Sequence, residues 1–153
     1  MKRILAFIIT AALILTVTSC GNKVDEQGDV TVVIETEKGD YEVYMTYLEN
    51  VEHKHEGLLA ILKNLHARPE NPMHLVYSDG AYGEYVTEIG SVKEDSANGV
   101  YITYYTSLET DSYHGAPTVT YGESLLFLAG VGVSLASVTS GSVFLFRAEA
   151  SPF

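Results

Sequence analysis

This chain of 153 residues has one cysteine, no tryptophan and only nine basic residues. A single cysteine, Cys20, permits no internal disulfide and no Cys-x-x-Cys zinc site. Nine Lys and Arg against twenty Asp and Glu leave a formal net charge of −11. That excludes a nucleic-acid binder, which needs a basic face to neutralise phosphates. No apolar run reaches the roughly 20 residues of a membrane-spanning helix. Also missing are a Gly-x-Ser-x-Gly elbow, a His-Glu-x-x-His pair, an Asp-x-Asp-x-Asp loop and a Gly-rich phosphate loop leading from strand to helix. The expectation is therefore no enzyme, no catalytic residue, no resident cofactor and no metal-ligand set. There is no internal repeat and no low-complexity tract. What is present is a globular composition, 46% hydrophobic and 19% charged, in a length that suits one domain.

The first twenty residues read as an address. Lys2 and Arg3 precede an apolar run over residues 4–17, broken only by Thr10 and Thr16. Fourteen residues suit the core of a signal peptide and are short for a transmembrane helix. The run ends at Val17-Thr18-Ser19-Cys20, followed by Gly21-Asn22-Lys23. This resembles a bacterial lipoprotein signal, in which cleavage before the cysteine follows transfer of a diacylglycerol to its thiol. On this reading residues 1–19 are a leader, 20–29 a polar tether from lipidated Cys20, and 30–153 the folded domain. The location is the extracytoplasmic face of a bacterial cell membrane. Losing Lys2 and Arg3 takes the charge from −11 to −13 over the remaining 134 residues. Anionic head groups repel so acidic a surface, so the acyl chains must hold the protein there.

The rest of the chain alternates strand and turn signals. Val30-Thr31-Val32-Val33-Ile34-Glu35 and Tyr41-Glu42-Val43-Tyr44-Met45-Thr46-Tyr47 read as a hairpin around Glu37-Lys38-Gly39-Asp40. In the second strand Tyr41, Val43, Met45 and Tyr47 share a face. Leu58, Ile61, Leu62 and Leu65 recur at helical spacing, preceded by Glu52 and Glu56 and stopped at Arg68-Pro69. Residues 83–89 and 100–107 read as strands that pair across the Asn98-Gly99 turn. Residues 108–118 read as a polar loop, 124–128 as a short strand and 142–149 as the closing strand. The fold class expected is α+β, a β-grasp-like ββαβββ order with one helix packed on a mainly antiparallel sheet.

Several segments in this order resemble the transcobalamin C-terminal-domain-like module of bacterial surface lipoproteins. They are Gly57-Leu58-Leu59-Ala60-Ile61-Leu62, then Gly83-Glu84-Tyr85-Val86-Thr87-Glu88-Ile89-Gly90 with Asn98-Gly99-Val100-Tyr101-Ile102-Thr103-Tyr104-Tyr105, then Gly132-Val133-Ser134 leading through Ser140-Gly141-Ser142 to Val143-Phe144-Leu145-Phe146-Arg147. Two features depart from that family: no Trp in the aromatic strand, and a longer segment over residues 108–128. The resemblance implies a cobalamin-like corrinoid as ligand and an uptake transporter as partner. The larger helical domain that completes the cobalamin site in the animal proteins has no counterpart here.

Eleven tyrosines without a tryptophan are the most unusual feature of the domain. Tyr82, Tyr85, Tyr101, Tyr104 and Tyr105 fall on two consecutive expected strands. Tyr101 and Tyr105 share one face and Tyr104 takes the other. They read either as a platform for a flat or amphipathic ligand or as cross-strand packing in a half-buried sheet, the commoner outcome. Glu52, His53, His55 and Glu56 gather before the helix, but histidines at i, i+2 diverge on a helix, and a solvated role is the simpler reading. Glu94-Asp95 and Glu109 with Asp111 sit in polar loops, which lack the hydrophobic burial that a general acid needs. The function expected is a lipid-anchored extracytoplasmic binding module that captures a corrinoid or other cofactor-like ligand for uptake. The alternative is a surface protein-interaction or adhesion module without a small-molecule ligand.

Overall fold

The computed structural model describes residues 23–24 and 27–151, so the leader 1–19 and Cys20 lie outside the described residues. Among the described residues ten strands and one α-helix follow one another. The strands are β1 (Lys23–Val24), β2 (Val30–Glu35), β3 (Tyr41–Thr46), β4 (Leu75–Ser78), β5 (Tyr85–Ile89), β6 (Val92–Lys93), β7 (Val100–Thr106), β8 (Thr118–Tyr121), β9 (Ser124–Leu128) and β10 (Val143–Ala150). The helix α1 (Leu58–His66) lies between β3 and β4. The α+β class stands. Seven strands sort into one sheet in the order β1-β3-β2-β10-β7-β9-β8, while β4-β5-β6 make a small antiparallel sheet of their own. The order along the chain is therefore longer than ββαβββ.

The centre of the large sheet explains the composition of its strands. β2 and β10 pair in parallel, with Val32 opposite Phe144 and Ile34 opposite Phe146. Val32, Ile34, Phe144 and Phe146 face the helix and are fully buried, and Val33 and Leu145 are equally covered on the other face. A strand covered on both faces reads as a continuous apolar run rather than an alternation, which is what Val143-Phe144-Leu145-Phe146 is. The sheet curls far enough for its distant strands to meet. The rings of Tyr41 on β3 and Tyr121 on β8 make an edge contact at 5.3 Å between centroids, although four strands separate them in the sheet.

The helix keeps the expected leucine face: Leu58, Leu59, Ile61, Leu62 and Leu65 are buried on the sheet. Its start is fixed from outside. Gly57 takes φ 58°, and a Cβ there would lie 2.4 Å from the carbonyl oxygen of Ala136. The Leu59 N–H donates to the Val133 carbonyl at 3.0 Å, satisfying one of the donors a helix start leaves open. Glu56 pairs with Lys63 at 2.6 Å rather than acting only on the helix end.

One expected pairing does not form. β5 pairs with β4 and β6 instead of folding back on β7. Across the Asn98-Gly99 turn only Asp95 bridges to Val100, because β7 is taken by β10 along seven residues and by β9 at its end. Residues 108–128 are more ordered than a loop: Tyr121 to Ser124 closes a tight β8–β9 hairpin. Within the range 20–29, Lys23 and Val24 pair in parallel with β3, and the Asp29 N–H donates to Thr46 at 3.1 Å.

Candidate functional site

Beyond the helix, the core face of the large sheet is not fully covered. There β5, β7 and the segment 128–133 border a half-open cavity of about 760 Å³. Its floor is aromatic. Phe146 of β10 and Tyr104 of β7 stack with centroids 5.4 Å apart and planes at 23°. Val86, Leu128 and Val133 close the sides. Tyr82, Tyr85 and Tyr113 stand at the rim, Tyr82 being 78% exposed.

Glycines make the enclosing wall possible. The Gly132 N–H donates to the Tyr82 carbonyl at 2.7 Å, and the Val133 N–H to the Glu84 carbonyl at 2.8 Å. At this seam two backbones touch: a Cβ on Gly132 would lie 2.6 Å from Gly83 and 2.7 Å from the carbonyl oxygens of Tyr82 and Glu84. Only glycine tolerates that approach. Opposite it, the Tyr104 hydroxyl donates to the Val131 carbonyl at 2.7 Å, tying the 128–133 segment to β7.

Of the five tyrosines singled out from the sequence, three meet at this cavity: Tyr82, Tyr85 and Tyr104. The other two do not. Tyr105 is 1% exposed on the back face of β7, where its hydroxyl donates to Glu149 at 2.8 Å and accepts from Arg147 at 2.9 Å. The Arg147 guanidinium also lies 4.8 Å from the centre of the Tyr105 ring. Tyr101 stands on that same face, half-exposed and opposite Glu149. Tyr113 is the cavity tyrosine that sequence reasoning missed. Its N–H donates to the Leu128 carbonyl at 2.7 Å, and a Cβ on Gly130 would press on its backbone at 3.2 Å. The Gly130-Val131-Gly132 spacing was the available signal, since closely spaced glycines mark a close backbone approach.

Several ionisable groups around the fold have structural partners. Glu84 at the cavity edge is held below the ordinary carboxyl range, first by the Ser134 hydroxyl and then by its own backbone N–H. The rings of His53 and His55 meet edge-on at 5.9 Å. His66 bonds to the Met73 carbonyl at 2.8 Å, and His74 to Glu88 at 2.9 Å. Asp95 serves as the cap of its turn, accepting from Asn98. Among the described residues no group of three or more His, Cys, Asp or Glu is placed to hold a metal ion, and no helix is long and apolar enough to cross a membrane.

Buried tyrosines give the fold an alkaline limit. Burial, with Glu42 beside it, pushes the Tyr44 hydroxyl from its ordinary 10.0 up to about 12. Burial also raises Tyr104, Tyr105 and Tyr121. A raised pKa means the fold favours the protonated form. The stability this confers is complete below about pH 10 and is lost as pH rises through about 12. Ultraviolet titration of tyrosinate, free of tryptophan absorbance, should show a group of tyrosines that ionises above the ordinary value of 10.0 and only together with unfolding. A single titration step at the ordinary tyrosine value with the fold intact would contradict these placements.

No protein-family model matches the chain, and no curated protein matches it. A solved structure does. The crystal structure of a Ruminococcus gnavus protein described as a "putative metal binding protein" aligns with a TM-score of 0.54 at 12% identity, over 82% of this chain and 99% of that one. At that identity the likeness is one of fold: the chain has the mixed α+β architecture of that protein.

Proposed function

We propose that this chain is a lipid-anchored extracytoplasmic binding module, not an enzyme, and that its ligand enters the cavity between β5, β7 and residues 128–133. The observation that carries the reading is the cavity itself. Its volume of about 760 Å³ lies within the roughly 300–1,000 Å³ of small-molecule sites, and apolar walls with tyrosine hydroxyls at the rim suit an amphipathic ligand. The β-grasp reading belongs to the same proposal. A central parallel pair, β2 and β10, flanked by β3 and β7 with one helix across a face, supports it. So does the ordered family resemblance of residues 57–62, 83–105 and 132–147, which makes a corrinoid the first ligand to test and an uptake transporter the partner to seek. A metal role is not carried over from the R. gnavus protein, because the likeness to it is one of fold.

Titrating the purified protein with cobalamin and cobinamide tests this. A ligand at a hundred times its Kd stabilises by about 2.7 kcal/mol, a shift in thermal midpoint of several degrees. No shift and no spectral change at millimolar ligand removes the corrinoid. The anchor has its own test: Cys20→Ser should release the protein from the membrane fraction, and unchanged partitioning would remove the anchor. Tyr82 and Leu135, both well exposed beside Gly83, favour the second reading, a protein-interaction surface. That reading gains if the rim binds a protein partner while the cavity stays empty of any small molecule.

A further inference from the structure

The charge pattern of the cavity narrows the class of its ligand. Its lining contains no Lys, Arg or His. Of the nearby cations, Lys63 pairs with Glu56 at 2.6 Å and acts on Glu84 from outside the lining, and Arg147 pairs with Glu149 at 2.6 Å on the opposite face of the sheet. A ligand carrying phosphate or carboxylate into this space would find no positive partner, inside a protein of net charge −11, and burying an unpaired anion is strongly unfavourable. What the lining does offer is aromatic rings. Tyr82, Tyr85, Tyr104, Tyr113 and Phe146 surround the space, and Glu84 at its edge is kept ionised. The faces of such rings carry partial negative charge and attract ammonium groups, most of all quaternary ones that are cheap to desolvate. The acidic surface also draws cations toward the mouth.

We infer that the cavity selects an organic cation with an apolar body, a quaternary or tertiary ammonium compound, through its ring of aromatic side chains. This rests on the proposed binding role of the cavity and departs from the corrinoid version of it, since cobalamin carries a phosphodiester. A methylated ammonium group alone is too small for about 760 Å³, so the apolar body must fill the floor over Tyr104 and Phe146 while the cation meets the rim tyrosines.

Three probes of nearly one shape and different charge make the test: para-hydroxyphenyltrimethylammonium, its uncharged carbon isostere para-tert-butylphenol, and anionic para-hydroxybenzenesulfonate. Each is titrated into the purified full chain by calorimetry. The expected order is cation tightest, about tenfold over the neutral isostere, with the sulfonate weakest. Tyr85→Leu should weaken the cation about two- to fivefold, while Tyr85→Phe retains its affinity. Tyr85 is half-exposed, so both variants should fold. Equal binding of cation and isostere, or preference for the sulfonate, overturns the cation inference and leaves the cavity as a binding site. No binding of any probe overturns the cation inference, and only together with no response to cobalamin or cobinamide does it overturn the binding role of the cavity as well.

Discussion

Replacing Gly132 with valine is expected to lower the thermal midpoint by roughly 10 °C and to abolish binding in the cavity. The reason is local and steric. Any Cβ at this position falls 2.6–2.7 Å from Gly83, Tyr82 and Glu84 backbone atoms, which are not flexible side-chain ends. Overpacking of that kind costs about 1–3 kcal/mol. Forcing the seam apart also breaks the hydrogen bonds to the Tyr82 and Glu84 carbonyls, each contributing about 1 kcal/mol. Gly99→Ala is the control. It places a side chain at φ 72° with nothing within 4 Å, and should cost only about 1–2 kcal/mol from the left-handed backbone. If thermal melts show the two variants equally stable, residues 82–84 and 132–133 do not pack as described.

Phe146→Ala should be as damaging, destabilising by about 3–5 kcal/mol. Phe146 is fully buried on β10, opposite Ile34 on one side and Tyr104 on the other, and its ring supports the Tyr104 ring at 5.4 Å. Losing it removes the cavity floor and frees the ring whose hydroxyl ties down Val131. Phe144 is equally buried two residues earlier but does not line the cavity. Phe144→Leu and Phe146→Leu are therefore the informative pair. Denaturant melts should show similar, smaller losses for both, while ligand affinity falls only in Phe146→Leu. Equal affinities in the pair would detach the cavity from binding.

These two residues also show what the sequence could reveal. β2, β3, α1, β5, β7 and β10 were legible because each carries its own pattern: β-branched runs, leucines at helical spacing, or Val143-Phe144-Leu145-Phe146. β4 carried none. It is four residues long with only Leu75 buried, so neither alternation nor a continuous apolar run announced it. The pairing of β5 was misread because a strong local turn signal at Asn98-Gly99 suggested a hairpin. The long-range ladder from β7 to β10, built over some forty residues of separation, prevailed. Local chemistry determines turns; which strands become neighbours depends on burial of the whole sheet.

The tyrosines divide for the same reason. Their alternation along β7 correctly placed Tyr104 apart from Tyr101 and Tyr105. Nothing local said which face would open into a cavity and which would be sealed by Arg147 and Glu149. Tyr113 was invisible because a polar loop has no periodicity, and only the tertiary packing of Gly130 brings it to the rim.

Binding in the cavity is tested most directly by amide chemical-shift mapping of the glycines during titration with cobinamide and with para-hydroxyphenyltrimethylammonium. Gly80, Gly83, Gly130 and Gly132 line the cavity, while Gly39, Gly99, Gly115, Gly122 and Gly141 sit in open turns where a Cβ would meet nothing within 4 Å. Saturable shifts at the first set, with the second set unmoved, are what a ligand in this cavity must produce. Shifts centred on the open turns, or none in either set, would place the protein's function away from this cavity.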